Sequence, residues 1–384
     1  MNKIFKIFLL VSFNFLFISL QANSEETKIK IGLLAPLTGD NAELGQQIIK
    51  AVRMALQDIK TNQIEVYPKD TQSDPNKTLR SAIELEQMGI KLVIGPVFYK
   101  NLIYLDEIDD VTFLSLTNKT LALPKNVISS GVNSTSQLNT IKKFIKLKEI
   151  KKPIFLIPNS NYNLEVKNGI KNSKIKILRE HYYDIEPTKL TKQIEKITNY
   201  EIRKQNLFDE ITRVEKSDEN NKELKIENLK KKYTLGNLNF DSVIIADFDE
   251  SLKSVITSLL YSDVSPKDKY LITLNQWFDK SLLKENSSQP IYYPSINKKN
   301  LDNFKKKFFN EFNQYPNHLA LLSYDLTGLV YYLSLKTNLS NINKSFKLKN
   351  SFKGKIGIFE IENNKINHIL NFYQVDQGSI KEIF

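Results

Sequence analysis

A short apolar strand followed by an amphipathic helix recurs along most of this 384-residue chain, and that alternation limits the fold more than any other feature. The stretch IKIGLLAPLTGDNAELGQQIIKAVRMALQDI sets the unit. Ile29 to Leu34 reads as a strand, proline and glycine break it, and Ile48, Ile49, Val52, Ala55, Leu56 and Ile59 then recur at helical spacing. The next unit opens its helix with Asp74 at the N-cap and Pro75 in the first turn. KLVIG, VTFLSL, KPIFLIP, FDSVIIAD and KYLITLNQW continue the strand series, with YKNLIYLDEI, VNSTSQLNTIKKFIKL, NYNLEVKNGIKN and DESLKSVITSLLYSD as helices between them. Such alternation predicts an α/β fold with parallel sheets covered on both faces. The near-continuous apolar runs KLVIG and PIFLIP suit strands buried on both sides.

Length favours two domains over one core. Between Lys189 and Gly236 the texture changes to a charged segment whose apolar residues recur every three or four positions. It predicts two helices broken near Ser217 to Asn221, an exposed hairpin inserted at about 190–235. A solvated charged face is the plain reading of that hairpin, and a docking arm for another protein is the functional one. The tail after Gly354 alternates over three short strands with turns at Glu362–Lys365 and Asp376–Ser379, an antiparallel finish.

Residues 1–22 have the form of a secretory signal peptide: Lys3 and Lys6, an apolar run from Ile7 to Leu20, then Gln21 and Ala22. The expected location is the periplasm. The chain has no cysteine, which excludes disulfides, a cysteine nucleophile and a lipid-modified N-terminal cysteine, so a lipoprotein is not expected. The net charge of +12 is spread along the sequence without aromatic interleaving, which argues against nucleic acid.

No catalytic or cofactor motif stands out. His181, His318 and His368 lie far apart, and neither a Gly-x-Ser-x-Gly elbow nor a glycine-rich phosphate loop occurs. No metal or cofactor is expected, and no enzyme. Asp247 and Asp249 after a buried strand allow acid–base work in principle, but without a second motif binding is the better use. The informative residues stand after the strands: Thr38, Phe98, Tyr99, Ser115, Thr117, Asn118, Tyr162 and Asp247. In a parallel sheet these ends point one way and build a cleft for a small polar ligand, although each hydroxyl also suits a helix cap.

Taken in order, IKIGLLAPLTGDNAELGQQIIKAVRMAL, KLVIGPVF and FNEFNQYPNHLALLSYDLTGLVYYL resemble the leucine-binding branch of the type I periplasmic binding proteins. KKKYTLGNLNFDSVIIAD and FKGKIGIFEIENNKINHILNFYQV are similar to the penicillin-binding protein activator group within it. The resemblance implies two Rossmann-like lobes joined by three crossovers, lobe one over 25–130 and 288–340 and lobe two over 131–287 and 341–384. It implies a ligand cleft between them, with Leu44 and Tyr162 as wall residues. Tyr99 stands where amino-acid binders carry a serine, and its ring is expected to occupy the ligand's backbone volume. The implied role is a non-catalytic regulator of peptidoglycan synthesis with a peptidoglycan synthase as partner, the chain being a monomer or weak dimer. The alternative is the substrate-binding protein of an ABC importer, with a permease as partner and amino acids or similar polar solutes as cargo.

Overall fold

The computed structural model describes residues 28–336 and 342–384. The expected signal peptide and its cleavage point lie outside the described residues. Among the described residues no helix is long and apolar enough to cross a membrane.

Two central sheets organise the chain. The first takes β1 (Ile29–Ala35), β2 (Ile64–Asp70), β3 (Leu92–Ile94), β4 (Thr112–Ser115) and β5 (Val127–Ser129) in the order β2-β1-β3-β4-β5, all parallel. Helix α1 (Ala42–Ile59) covers one face and α2 (Pro75–Gln87) the other. The Asp74 side chain accepts from Lys77 N at 2.8 Å and caps α2, as its sequence predicts. The expected helix after β3 is instead two short 3-10 turns, Tyr99–Leu102 and Leu105–Glu107. These turns set Leu102 and Leu105 into the core under the sheet.

The chain then passes to a second sheet. Helix α3 (Ser134–Leu147) starts it, capped by Asn133, whose side chain accepts from Ser136 N at 2.9 Å. Strands β6 (Pro153–Pro158) and β7 (Arg179–Tyr183) follow, separated by α4 (Asn163–Ser173). Three helices come next: α5 (Pro187–Thr198), α6 (Tyr200–Glu215) and α7 (Lys222–Lys230). Strand β8 (Ser242–Ile245), helix α8 (Asp249–Tyr261), β9 (Tyr270–Thr273) and β10 (Ile291–Ser295) complete the parallel part, in the order β10-β9-β8-β6-β7.

The charged insertion is smaller than its sequence suggests. Leu190 and Ile194 of α5 are fully buried against α8 and the sheet, so α5 belongs to the domain core. Only α6 and α7 form the exposed hairpin. Buried Arg203 fixes its root, donating to Thr198 O at 3.0 Å, Thr234 Oγ1 at 2.8 Å and Ser262 O at 2.5 Å. The narrow apolar repeat of the sequence holds two different things, a buried stripe on α5 and a root contact on α6.

The last third crosses twice more. After β10, helices α9 (Lys298–Phe312) and α10 (His318–Lys336) pack on the first sheet, α10 chiefly against α1. Helix α11 (Ile342–Lys347) and an antiparallel sheet of β11 (Asn350–Lys353), β12 (Ile358–Glu362) and β13 (Lys365–Ile369) extend the same core. Strands β14 (Asn371–Asp376) and β15 (Ser379–Glu382) then return to the edge of the second sheet, β14 antiparallel to β10. Three crossings therefore join two lobes, at about 130–133, 296–297 and 370. Two expected boundaries move. Ile291–Ser295, placed with lobe one from the sequence, pairs in register with β9 of lobe two. The 350–370 segment, placed with lobe two, buries Phe359, Ile361 and Ile366 in the core of lobe one.

Candidate functional site

The carboxyl ends of the parallel strands face the gap between the lobes, as open α/β sheets place their ligand sites. A cavity of about 330 Å³ lies there, within the range of small-molecule pockets. Lobe one supplies Phe98, Tyr99, Thr117, Asn118, Lys119 and the start of α10; lobe two supplies Gln137, Phe248, Asn275 and Trp277.

The turn after β3 shapes one rim. Gly95 adopts φ +102°, and a Cβ there would stand 2.2 Å from Leu34 O, so only glycine lets the strand turn this close to β1. Ser115 Oγ donates to Pro96 O at 2.9 Å and is fully buried; it holds the turn and does not face a ligand. Phe98 and Tyr99 then line the cleft, half-buried. The Tyr99 hydroxyl donates to Leu121 O at 3.2 Å, and the ring packs on the apolar cluster beneath the first sheet. The ring therefore packs along the wall and forms part of the cavity's lining. Lys119 Nζ stands 4.7 Å from the ring centroid, a cation–π contact at the rim.

Four residues expected at the site line this cavity: Phe98, Tyr99, Thr117 and Asn118. The others are engaged elsewhere. Thr38 Oγ1 donates to Asp70 at 2.5 Å and helps close the β1–α1 loop. Leu44 packs on the core of lobe one. The Tyr162 hydroxyl pairs with Ser134 Oγ at 3.0 Å. Asp247 is buried and accepts from the Tyr183 hydroxyl at 2.6 Å, with burial pushing its pKa up. Asp249 is exposed at the start of α8. The two aspartates do not converge on a shared atom, which leaves the acid–base reading without geometry.

The opposite wall was not read from the sequence. Trp277 follows β9, crosses the gap and packs against the core of lobe one. Its ring stacks on His318 at the start of α10, centroids 4.4 Å apart. Trp277 and Phe278 both hold left-handed backbone, φ 48° and 60°. Such conformations cost about 1–3 kcal/mol each for residues with side chains and persist only where surrounding contacts fix them. Asn275 supplies those contacts. Its Oδ1 accepts from Trp277 N at 2.9 Å and Ser295 Oγ at 2.8 Å, and its N–H donates to Gln137 Oε1 at 2.8 Å. Asn275 Nδ2 is buried with no partner.

One carboxylate ties the lobes together. Glu165 on α4 of lobe two is buried and reaches the β4–β5 loop of lobe one. It accepts from Thr120 N at 3.0 Å, Thr120 Oγ1 at 2.8 Å and Leu121 N at 3.0 Å. Asn168 Nδ2 adds a bond to Thr120 Oγ1 at 3.1 Å. The loop so held is the one whose carbonyl receives the Tyr99 hydroxyl. Sequence reasoning gave no signal for Glu165, which reads as one more charged residue on a helix.

Residues 28–202 match the family model described as periplasmic binding protein. No curated protein matches the chain in sequence. Among solved structures, the C-domain of LpoA (YraM) from Haemophilus influenzae, described as a regulator of PBP1A, matches with TM-score 0.63 at 16% identity, covering 92% of this chain and 100% of that one. Full-length LpoA from the same organism matches with TM-score 0.61 at 16% identity over 93% of this chain, which spans 59% of that longer protein. The branched-chain amino acid transporter substrate-binding protein LivJ from Streptococcus pneumoniae, solved with isoleucine, matches with TM-score 0.53 at 16% identity, covering 92% of this chain and 98% of that one.

Proposed function

We propose that this chain, which carries a periplasmic binding protein domain on a type I periplasmic-binding fold, is a non-catalytic periplasmic regulator of a peptidoglycan synthase. The Glu165 latch carries the reading. In a solute carrier, ligand bridges the lobes and draws them shut. Here a carboxylate of one lobe already bonds two backbone N–H groups and a hydroxyl of the other. A chain that closes itself presents one fixed outer surface, which suits docking better than capture and release.

The α6–α7 hairpin is the proposed contact. It exposes Ile202, Phe208 and Leu224, each more than half accessible, beside Lys and Glu side chains. Such a rim of charge around apolar anchors fits a protein partner. Leu235 N donates to Arg203 O at 2.9 Å, so the hairpin's two ends already meet. Replacing 205–232 with a short glycine-serine linker should leave folding intact and abolish capture of the synthase in a pull-down. Unchanged capture by the shortened protein would remove the hairpin from the mechanism.

Import of a small solute is the second reading, and Asn275 favours it: an unpartnered donor in the wall of an open cavity suits a ligand oxygen. A thermal-shift screen separates the two. A clear rise in Tm with a branched amino acid supports import, because ligand stabilises the state it binds. No rise across amino acids and small amides supports the regulator.

A further inference from the structure

A second cavity, about 950 Å³, lies away from the cleft, where lobe two meets the β11–β13 sheet of lobe one. It opens between the C-terminal half of α3, the turn into β6, the end of α4 and the strands β12 and β13. Six lysines ring it: Lys142, Lys143, Lys146, Lys151, Lys174 and Lys176. None of them forms an ion pair among the described residues. Lys142 donates to Ser173 O at 2.8 Å. Two carboxylates, Glu149 and Glu360, share the lining, which leaves a formal excess of four positive charges around one hollow.

Helices α3 and α4 both end here, and lysines are favoured at helix C-termini. That preference is too small to account for the cluster. Each terminus contributes about half a negative charge, so the two together offset about one of the four. Lys151 and Lys176 moreover lie beyond the helices, at the entries to the strands that follow. The floor is apolar. Ile150 and Ile175 are buried in it, and Ile145 and Ile369 are partly covered. A wholly solvated lysine face needs no such floor.

We infer that this groove binds an anionic amphiphile, its apolar body on the isoleucines and its carboxylate or phosphate among the lysines. The site is separate from both the inter-lobe cleft and the hairpin, and it stands whichever of the two functions holds. A flat anionic surface reaches only the rim, so a molecule with a chain that enters the hollow is the better fit.

Fluorescence titration of the chain with a dansyl-labelled medium-chain fatty acid tests this directly. Saturable binding is expected, with the matching neutral alcohol failing to compete and an alkyl phosphate competing well. The variant Lys143→Gln/Lys146→Gln/Lys174→Gln/Lys176→Gln should weaken binding at least tenfold at unchanged Tm. The control Lys222→Gln/Lys230→Gln/Lys231→Gln, on and just beyond α7, should bind as the parent does. Binding to phosphatidylglycerol vesicles without saturable uptake of the dansyl-labelled fatty acid would mark adsorption at the lysine rim and overturn the groove. Equal binding of the neutral alcohol, competition by inorganic phosphate as effective as by the alkyl phosphate, or full binding by the fourfold variant would each overturn the assignment.

Discussion

Replacing Glu165 with alanine removes the carboxylate that bonds the β4–β5 loop of lobe one from α4, leaving the single Asn168 bond to Thr120 Oγ1, and its effect follows from the bonds lost. Three donors point at the carboxylate: two N–H groups and the Thr120 hydroxyl. Hydrogen bonds to a charged partner contribute about 1.5–3 kcal/mol each, so the lower bound for three is about 4.5 kcal/mol. Opening the lobes lets water reach the same donors and frees the loop, which returns about half of that sum. A net loss of roughly 2–3 kcal/mol remains, a shift of about 30–150-fold in the balance between closed and open lobes. Hydrogen exchange at the Thr120 and Leu121 amides reads that shift as a matching loss of protection. Glu165→Gln keeps one acceptor but turns an NH₂ toward the donors, so it should fall between the parent and Glu165→Ala. Unchanged exchange at both amides in Glu165→Ala would refute the latch, because no other group then explains their protection.

Three more outcomes follow from the fold. Arg203→Ala should loosen the hairpin selectively: three bonds to Thr198, Thr234 and Ser262 vanish, a loss of about 2–4 kcal/mol, read as faster proteolysis within 204–233 than in the strands. Gly95→Ala should lower stability by about 3 kcal/mol or more in denaturant melts, since its Cβ would overlap Leu34 O and its φ would be strained. Two buried groups should impose opposite pH slopes. Burial lifts the Asp325 pKa to about 7, so the folded state holds a proton that the unfolded state has lost, and stability falls as pH rises from about 4 to 7. Burial lowers the His368 pKa to about 4, so the unfolded state takes the extra proton, and stability falls as pH drops from about 6.5 to 4. Between pH 4.5 and 6.5 these two contributions oppose each other. Asp325→Asn should expose the histidine slope and His368→Gln the aspartate slope, each approaching about 1.4 kcal/mol per pH unit. Parallel profiles for parent and both variants would contradict the assignment.

Periodicity carried most of the architecture, because strands buried on both faces and amphipathic helices each leave a clear residue pattern. It failed where two elements share a pattern but not a partner. Leu370 alone separates β13 from β14, with no proline or glycine, so nothing in the sequence marks the passage between lobes. In the α5–α6 segment, a fully buried stripe and a root contact both repeat every three or four residues. At the site, looking at the strand ends found Phe98, Tyr99, Thr117 and Asn118. The same rule applied to β9 reaches Asn275 and Trp277. His318 follows no strand; only the return of α10 to lobe one brings it to the gap. Ser115 and Thr38 have the right chemistry, but their hydroxyls are engaged by a backbone carbonyl and by Asp70, which spacing alone does not show.

Absence of native cysteine makes the decisive measurement clean. Asp40 on lobe one and Asn161 on lobe two are exposed and lie in strand-end loops, so both can be changed to cysteine and spin-labelled. The inter-label distance distribution should be narrow without any ligand, stay the same when leucine is added, and broaden in Glu165→Ala. A broad distribution for the parent that collapses to a short distance on adding leucine would contradict the self-closed account.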